Sequence, residues 1–418
     1  MILDKYIKEK KVRNECFKVC IIIFFSAILT SGFSYINWNS TYSGWLVNIT
    51  SYLLAIWLVF NFPRNAHFHF RKEVLLLTFI PFLSMINSYL SGSQSFYDSL
   101  RPLMPSFIWI LYFVFRKYNF SESVMLKSFF IISVFIVLVQ IIQQFTYPNA
   151  YFGISTIERA IERGHTEIAE NRNGLWRFRL GSNGSFTAPI LFALFIWTRK
   201  YFNIKLFFLV FILLISIYLT LTRQVIGACL LTLFISFFLG RDNRGIAKTI
   251  LFGGIVFFAI YSYADLLFGS FIDQTNNDLN ENNIRVLGAT YFWNKSVESP
   301  LYFLFGHGLP SGQSQFAQQT DYIRNVMYFY TSDVGFIGKI YELGFLYVAT
   351  CYWLLWKIFF KLKKDLPIYI RMFVVFTTIM SIMIFPMYSS LNYFIWVIIL
   401  TICDIYIKPK LKKCNGKL

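Results

Sequence analysis

The sequence predicts an all-α fold, a polytopic membrane protein with about twelve transmembrane helices and cytoplasmic N- and C-termini. Two observations lead to this class. Hydrophobic residues make up 56% of the 418 positions and charged residues only 14%, whereas soluble domains carry about 25% charged residues. Apolar stretches that can cross a bilayer, which takes about 20 helical residues, recur along the chain and do not alternate as the strands of a membrane barrel do.

The predicted spans follow from these apolar stretches. They cover residues 17–36, 45–62, 74–90, 102–115, 128–145, 186–198, 206–222, 225–240, 249–268, 334–356, 372–386 and 391–407. The chain 1–418 is interpreted as a single integral membrane domain with two long outer-face loops, 146–185 and 269–333. The basic N-terminal segment precedes an apolar run without a convincing cleavage site, so we expect the first span to be retained.

The seventh and eighth spans are separated by an argument from length. From Leu206 to Gly240 the only charged residue is Arg223. One helix over this run would be about 52 Å long, against a hydrocarbon core of about 30 Å. We therefore expect a hairpin with Arg223 at its outer tip, where a cation costs less than at the bilayer centre. Snorkelling of Arg223 to the lipid headgroups is the simpler alternative for its role.

The positive charge follows this topology. Of the 39 lysines and arginines, 28 lie in segments that a cytoplasmic N-terminus places inside the cell, as membrane topology rules require. The net charge of +18 therefore indicates contact with a lipid bilayer and anionic lipid rather than with nucleic acid. The six cysteines show no disulfide framework and no zinc spacing. The long loops are both outside, so we expect the chemistry there.

The first outer loop contributes two candidate arginines. Arg177 and Arg179 alternate with aromatic residues, and an extended backbone would place both on one face. The alternative is that the arginines of this loop pair with its four glutamates. Upstream, Ser155 and Glu158 have the spacing of a helix capping box.

The second outer loop and the start of the tenth span hold the other candidates. Arg285 opens an amphipathic stretch, and His307 lies in the glycine-rich sequence "FGHGLPSG". His307 is either a base or part of a turn. Asp333 is either catalytic or the N-cap of the next helix. Lys339 and Glu342 are secondary candidates whose spacing of three also suits a simple ion pair.

Outward-facing arginines at the bilayer surface suit a phosphate ligand. Arginine binds phosphate through a rigid, permanently charged fork of donors. The outer loops lack a DxD motif or a tight group of carboxylates that would hold a divalent cation, so neither a metal nor another cofactor is predicted. Arginines would then have to stabilise a departing pyrophosphate.

Three stretches together resemble a known family. "LTLTRQVIGACLL" resembles the (S/T)R helix hairpin of O-antigen polymerases and O-antigen ligases. "IRVLGATYFW" followed by "PLYFLFGHGLPSG" is similar to their arginine–tryptophan segment and its "G.G". "YTSDVGFIGKIYELGFLY" resembles the next stretch, with its later "E.G..G". The resemblance covers about 206–356 in motifs, and the N-terminal half only in topology.

This resemblance implies a Wzy-type polymerase of O-antigen, capsular or exopolysaccharide repeat units. Such a glycosyltransferase moves the growing glycan from polyprenyl pyrophosphate to a sugar hydroxyl of another lipid-linked repeat, on the outer face of the bacterial plasma membrane. By motif, Arg223 and Arg285 would hold the pyrophosphate, and Asp333 or His307 would activate the acceptor. A flippase and a chain-length regulator are the protein partners that this activity implies.

Alternatives come from the same superfamily and from other classes. An O-antigen ligase would transfer the glycan to lipid A–core, but ligases have a His–Asn pair where this chain reads "YTSD". A lipid-linked oligosaccharide flippase should show two similar six-span halves and a charged central cavity, and no such repeat is evident. In a non-enzymatic membrane protein, such as a channel or receptor subunit, the outer arginines would form a solvated face.

Overall fold

The computed structural model describes residues 2–29, 40–61, 68–147, 149, 169–172, 175–178, 187–199, 204–219, 222–239 and 283–415. These residues are helical apart from loops and one two-stranded antiparallel sheet, which confirms the predicted all-α class. The predictions for Ser155, Glu158, Arg179 and the span 249–268 concern residues outside those described.

The first half of the described chain contains α1 (Ile2–Leu29), α2 (Ser40–Phe60), α3 (Arg71–Phe79), α4 (Pro81–Leu90), α5 (Phe96–Leu100), α6 (Leu111–Lys117), α7 (Glu122–Thr146), β1 (Ala169–Arg172), β2 (Leu175–Phe178), α8 (Thr187–Trp197) and α9 (Ile204–Leu219). The second half contains α10 (Arg223–Leu239), α11 (Ile284–Val297), α12 (Pro300–Phe305), α13 (Gln315–Asn325), α14 (Gly335–Leu343), α15 (Phe345–Trp356), α16 (Ile368–Met380) and α17 (Ser390–Asn415).

Two of the described helical segments are long and apolar enough to cross a membrane. They are Arg71–Leu90, which combines α3 and α4, and Glu122–Thr146, which is α7. The other apolar helices among the described residues are shorter, at 10–17 residues. The count of twelve spans therefore stays a prediction.

The break predicted near Arg223 is present. Helix α9 ends at Leu219 and α10 begins at Arg223. The amides of Val225 and Ile226 donate to the carbonyl of Thr222, at 3.0 and 3.1 Å. The long apolar run is thus divided into two helices at the position that the length argument required.

Two of the interruptions within predicted spans have a clear local cause. Residues Arg101–Ile110 form a 3-10 helix with Pro105 inside it, because proline lacks an N–H and its ring clashes with the preceding turn of an α-helix. The tenth span is divided into α14 and α15 at Gly344, whose φ of +84° ends α14. Glycine adopts this left-handed conformation at little cost.

The described residues group into two compact units. The first combines Met1–Phe70, Ile110–Leu221 and Ser389–Leu418. Its interior contains a buried ion pair in which Arg116 contacts Asp404 at 2.6 Å. The other carboxylate oxygen of Asp404 accepts from the amide of His69 at 3.2 Å, so a single acid ties together three separated parts of the chain.

The second unit combines Arg71–Trp109 and Thr222–Tyr388. Phe292, Tyr347 and Phe376 are among its fully buried side chains. Glu73 and Lys357 form an ion pair at 2.6 Å, with side chains that are 8% and 15% exposed. This unit contains α11 to α15 and therefore most of the predicted site residues.

Candidate functional site

A cleft in the second unit brings two predicted site residues together. Its cavity volume is about 200 Å³. Seven residues line it: Ile284, Arg285, Gly288, Tyr328, Tyr330, Asp333 and Val334. Arg285 and Asp333, which are 48 positions apart in the sequence, thus share one cavity.

The N-terminal turn of α11 forms one wall of the cleft. The side chain of Asn283 caps the helix by accepting from the Arg285 amide at 2.8 Å. This cap fixes where the helix starts. Residues three and four apart then share a helix face, so Arg285 lies beside Gly288, one turn later. The predicted amphipathic stretch is confirmed as a helix.

The facing wall is the segment from Tyr328 to Val334. A short 3-10 turn, Thr331–Asp333, is closed by the Asp333 amide donating to the Tyr330 carbonyl at 3.1 Å. The Asp333 carboxylate accepts from the Ser332 hydroxyl at 2.9 Å. The N-cap of α14 is Val334, with no side-chain cap bond. The alternative that Asp333 caps this helix is therefore wrong, because the intervening 3-10 turn moves the helix start one residue on.

A hydrophobic cluster supports both walls. Phe292, Ile323, Val334 and Tyr341 are each at most 9% exposed and pack together. They come from α11, α13, the turn after Asp333 and α14. The positions of Arg285 and Asp333 are thus held by a common core rather than by a mobile loop.

The secondary candidates Lys339 and Glu342 form a buried ion pair on α14. Their side chains are 9% and 7% exposed, and the predicted pairing at a spacing of three is confirmed. The Glu342 carboxylate also accepts from the hydroxyl of Thr331. The Lys339 ammonium lies 4.1 Å from the ring centre of Tyr388. Thr331 begins the turn that contains Asp333. Its bond to Glu342 therefore connects the ion pair, which does not line the cleft, to the wall of the cleft.

His307 is packed away from the cleft. Its ring stacks between those of Tyr302 and Tyr341, with centroid distances of 4.1 and 4.5 Å. Its Nε2 lies 3.1 Å from the Lys295 carbonyl oxygen, which can only accept, so Nε2 carries the hydrogen. Burial lowers the pKa of His307 below its usual value. These contacts favour the turn interpretation of the "GHG" sequence.

The glycines of this sequence allow two backbones to approach closely. The His307 amide donates to the Tyr341 carbonyl at 2.7 Å, and the Gly308 amide donates to the Glu342 carbonyl at 3.0 Å. Gly306 has a φ of +79°, and a Cβ there would lie 2.5 Å from the Glu342 carbonyl oxygen. The "G.G" and "E.G" motifs are thus two sides of one contact, in which residues 306–308 cover the C-terminal end of α14.

Two polar residues that the sequence interpretation missed fix the same loop. The side-chain amide of Asn87 donates to the backbone carbonyls of Leu301 and Gly306, at 3.1 and 2.7 Å. Gln94 donates to the Leu309 carbonyl at 2.9 Å, and its amide oxygen accepts from the Ser311 amide at 3.0 Å. No motif marks these residues. Their only signal is that each is an uncharged polar side chain at the end of an apolar run.

Arg223 and Arg177 are described by their backbone alone, and Arg179 lies outside the described residues. Arg223 is the first residue of α10. Arg177 lies in β2, which confirms the extended conformation, and it stands directly opposite Glu170 of β1. The register therefore places this arginine and a glutamate of the same loop at opposed strand positions.

Comparison with known proteins adds no family assignment. No protein-family model matches the chain, and no curated protein matches it significantly.

Proposed function

We propose that this chain is a membrane-embedded glycan polymerase that transfers a lipid-linked oligosaccharide from polyprenyl pyrophosphate to a sugar hydroxyl of a second lipid-linked repeat. The observation that carries the proposal is the cleft, in which Arg285 and Asp333 meet. A guanidinium and a carboxylate in one cavity supply the two things that the reaction needs. These are a permanent cation for the leaving pyrophosphate and an acceptor for a hydroxyl proton.

The proposed step is a single displacement. The acceptor hydroxyl oxygen attacks the anomeric carbon of the donor. The bond between that carbon and the pyrophosphate oxygen breaks, and its electron pair leaves on the pyrophosphate, whose charge Arg285 offsets. The hydroxyl proton passes to the carboxylate of Asp333. We assign this proton transfer to Asp333 rather than to His307, because the His307 ring is enclosed by two tyrosines and bonded to a carbonyl.

Contacts within each unit support the proposed membrane topology on its cytoplasmic side. Glu73 and Lys357 pair in the second unit, and both belong to segments that the charge count assigns to the cytoplasm. In the first unit the Lys18 ammonium donates to the carbonyls of Tyr118 and Asn119, at 2.9 and 3.0 Å. These residues also come from cytoplasmic ends of the proposed spans.

Contacts on the proposed outer side follow the same pattern. Gln94 lies in a short loop that the topology assigns to the outer face. It bonds Leu309, Ser311 and Ser314, which belong to the second long outer loop. We propose the bacterial plasma membrane as the location, with multiple spans and the cleft facing outward; these contacts are consistent with that arrangement.

The other arginines have subordinate roles in this proposal. Arg223 begins a helix of 17 residues, and a helix N-terminus favours a negative ligand beside it. We propose that Arg223 is the second pyrophosphate ligand. Arg177 and Arg179 are further candidates that would contact the lipid-linked glycan above the membrane. A flippase would deliver the substrate, and a chain-length regulator would limit the product.

The test is surface-glycan analysis of a deletion strain that is complemented with variants. Loss of a polymerase leaves single repeat units on the surface, whereas loss of a ligase or a flippase leaves none. Arg285→Ala and Asp333→Asn should each give single repeats, and Arg285→Lys should rescue poorly because a point charge does not replace the bidentate fork. Arg223→Ala should behave like Arg285→Ala.

Matched controls are available in the same unit. Arg101 and Asp321 are exposed and are not among the residues that line the cleft. Arg101→Ala and Asp321→Asn should therefore keep full-length polymer. Long polymer from Arg285→Ala, at normal protein levels in the membrane, would refute the assigned role.

A further inference from the structure

We propose that Tyr328 and Tyr330 form a stacking platform for a neutral sugar ring in the cleft. The inference rests on the proposed function only in naming that ring as part of the acceptor repeat. Both tyrosines line the cavity that contains Arg285 and Asp333. They are 59% and 39% exposed.

The first observation is the backbone of Tyr328. Its φ is +58°, one of two positive values among the non-glycine residues that the structure describes. The conformation arises where the chain leaves α13, in a turn closed by the Phe329 amide donating to the Ile323 carbonyl at 3.2 Å. Glycine or asparagine usually takes a position with positive φ. A large aromatic residue there is strained and is typical of functional sites.

The second observation is that burial does not offset this strain. More than half of the Tyr328 side chain is exposed, so the ring contributes little to the core. Glycine would satisfy the turn more easily. The tyrosine instead presents its ring at the mouth of the cleft, two residues before Tyr330 and five before Asp333. The cost in backbone conformation is explained if the ring itself contacts a ligand.

The third observation is the chemistry of the lining. A tyrosine ring has an electron-rich face for the C–H groups of a pyranose and a hydroxyl that bonds sugar hydroxyls. The Asp333 carboxylate can accept a hydrogen bond from a sugar hydroxyl. Ile284 and Val334 supply apolar wall.

The experiment measures sugar binding without lipid, pyrophosphate or turnover. The full chain in detergent micelles is mixed with the methyl glycosides of glucose, galactose, N-acetylglucosamine and rhamnose, each at millimolar concentration. Saturation-transfer NMR should show contact with the C–H face of at least one of them. Tyr328→Gly should weaken that binding roughly three- to tenfold, the factor expected for one lost aromatic contact. Tyr328→Phe should keep the stacking.

A stability measurement separates binding from folding. Because glycine accepts a positive φ, Tyr328→Gly should melt at the same temperature as the wild type or higher. The matched control is Tyr322→Ala, since Tyr322 is 60% exposed on α13 and is not among the residues that line the cleft. It should bind sugar normally.

Three results would overturn the proposal. They are the absence of binding by any of the four glycosides, unchanged binding in Tyr328→Gly, and an equal loss in Tyr328→Gly and Tyr322→Ala. The last result would assign the tyrosines to an aromatic belt at the membrane surface. Failure of the polymerase proposal has a different signature, because it would appear in surface glycans of the Arg285 variants and leave glycoside binding intact.

Discussion

Two lysine–glutamate pairs in the second unit have the same spacing of three and opposite surroundings. Lys295 and Glu298 are joined at 2.6 Å on the surface, with side chains that are 42% and 51% exposed. Lys339 and Glu342 are at most 9% exposed. Glu342 also accepts from Thr331, and Lys339 lies against the ring of Tyr388. The residue types and the spacing are the same, so the surroundings separate the two pairs: burial and the contacts that come with it.

The difference concerns what each pair does for the cleft. An exposed pair exchanges freely with water and contributes about 0.2–0.5 kcal/mol on a helix. Breaking a buried pair leaves a charge without solvent, which costs about 3–5 kcal/mol. We therefore expect the buried pair to hold the Thr331–Asp333 turn in place, whereas the exposed pair has little influence on it.

The largest expected effect is that of Glu342→Ala. This change leaves the buried Lys339 ammonium without a counter-charge and removes the acceptor of the Thr331 hydroxyl. The free energy of unfolding should therefore fall by about 3–5 kcal/mol. Thermal unfolding of the full chain in detergent micelles measures the loss.

A double variant sharpens the same comparison. Lys339→Met combined with Glu342→Gln removes both charges and keeps an acceptor for Thr331. It should recover most of the stability lost in Glu342→Ala, because uncharged residues of similar volume often replace a buried pair without penalty. A double variant as unstable as the single one would show that charge pairing is not the cause.

The effect of intermediate size is a pH dependence of the stability, caused by His307. This residue contacts the surroundings of both lysine–glutamate pairs. Its amide bonds Tyr341, beside the buried pair, and its ring bonds the carbonyl of Lys295, in the exposed pair. Burial lowers the pKa of His307, against a smaller opposing influence of Glu298. As the pH falls below about 6.5, the unfolded state binds the proton first. Stability should therefore drop as the pH falls from 7 to 5.5.

The matched variant for this prediction is His307→Phe. The ring still fits between Tyr302 and Tyr341 but does not titrate, so its unfolding curve should depend less on pH over that range. At pH 7 the free energy of unfolding of His307→Phe should also be lower than that of the wild type by about 0.5–1.5 kcal/mol, because the hydrogen bond to the Lys295 carbonyl is lost. Equal pH dependence in the two proteins would assign the effect to other groups.

The smallest expected effect is that of Lys295→Ala. The bond to Glu298 raises the pKa of Lys295, but the pair is exposed, so its removal should change the free energy of unfolding by no more than about 0.5 kcal/mol. The melting temperature in the same detergent measures it. A loss comparable to that of Glu342→Ala would mean that burial does not separate the pairs.

The sequence predicted local features well where one physical rule dominates. Length against bilayer thickness located the break before Arg223, and spacing on a helix paired Lys339 with Glu342. The amphipathic pattern after Arg285 identified α11. The sequence was misleading about Asp333, which does not cap α14. The 3-10 turn that displaces the start of this helix depends on contacts with distant residues, which a local pattern does not reveal.

The composition of the site was less predictable. Asn87 and Gln94 bond a loop more than 200 residues away, and no local pattern encodes such a pairing. Tyr328 looks like any aromatic residue in "VMYFY" until its backbone conformation is known. Arg285 and Asp333 were found individually, but their meeting in one cavity depends on the packing of α11 against α14.

The ion pair at Asp404 has a consequence for biosynthesis. The first unit needs residues 389–418, and His69 precedes its acceptor Asp404 by 335 positions. At about 5–20 residues per second, a ribosome takes roughly 15–70 s to cover that distance. Arg116 is synthesised almost as long before Asp404, the acid with which it pairs. A nascent chain that stalls before α17 therefore lacks the acid that neutralises Arg116, and the first unit can close around this arginine only when synthesis is nearly complete.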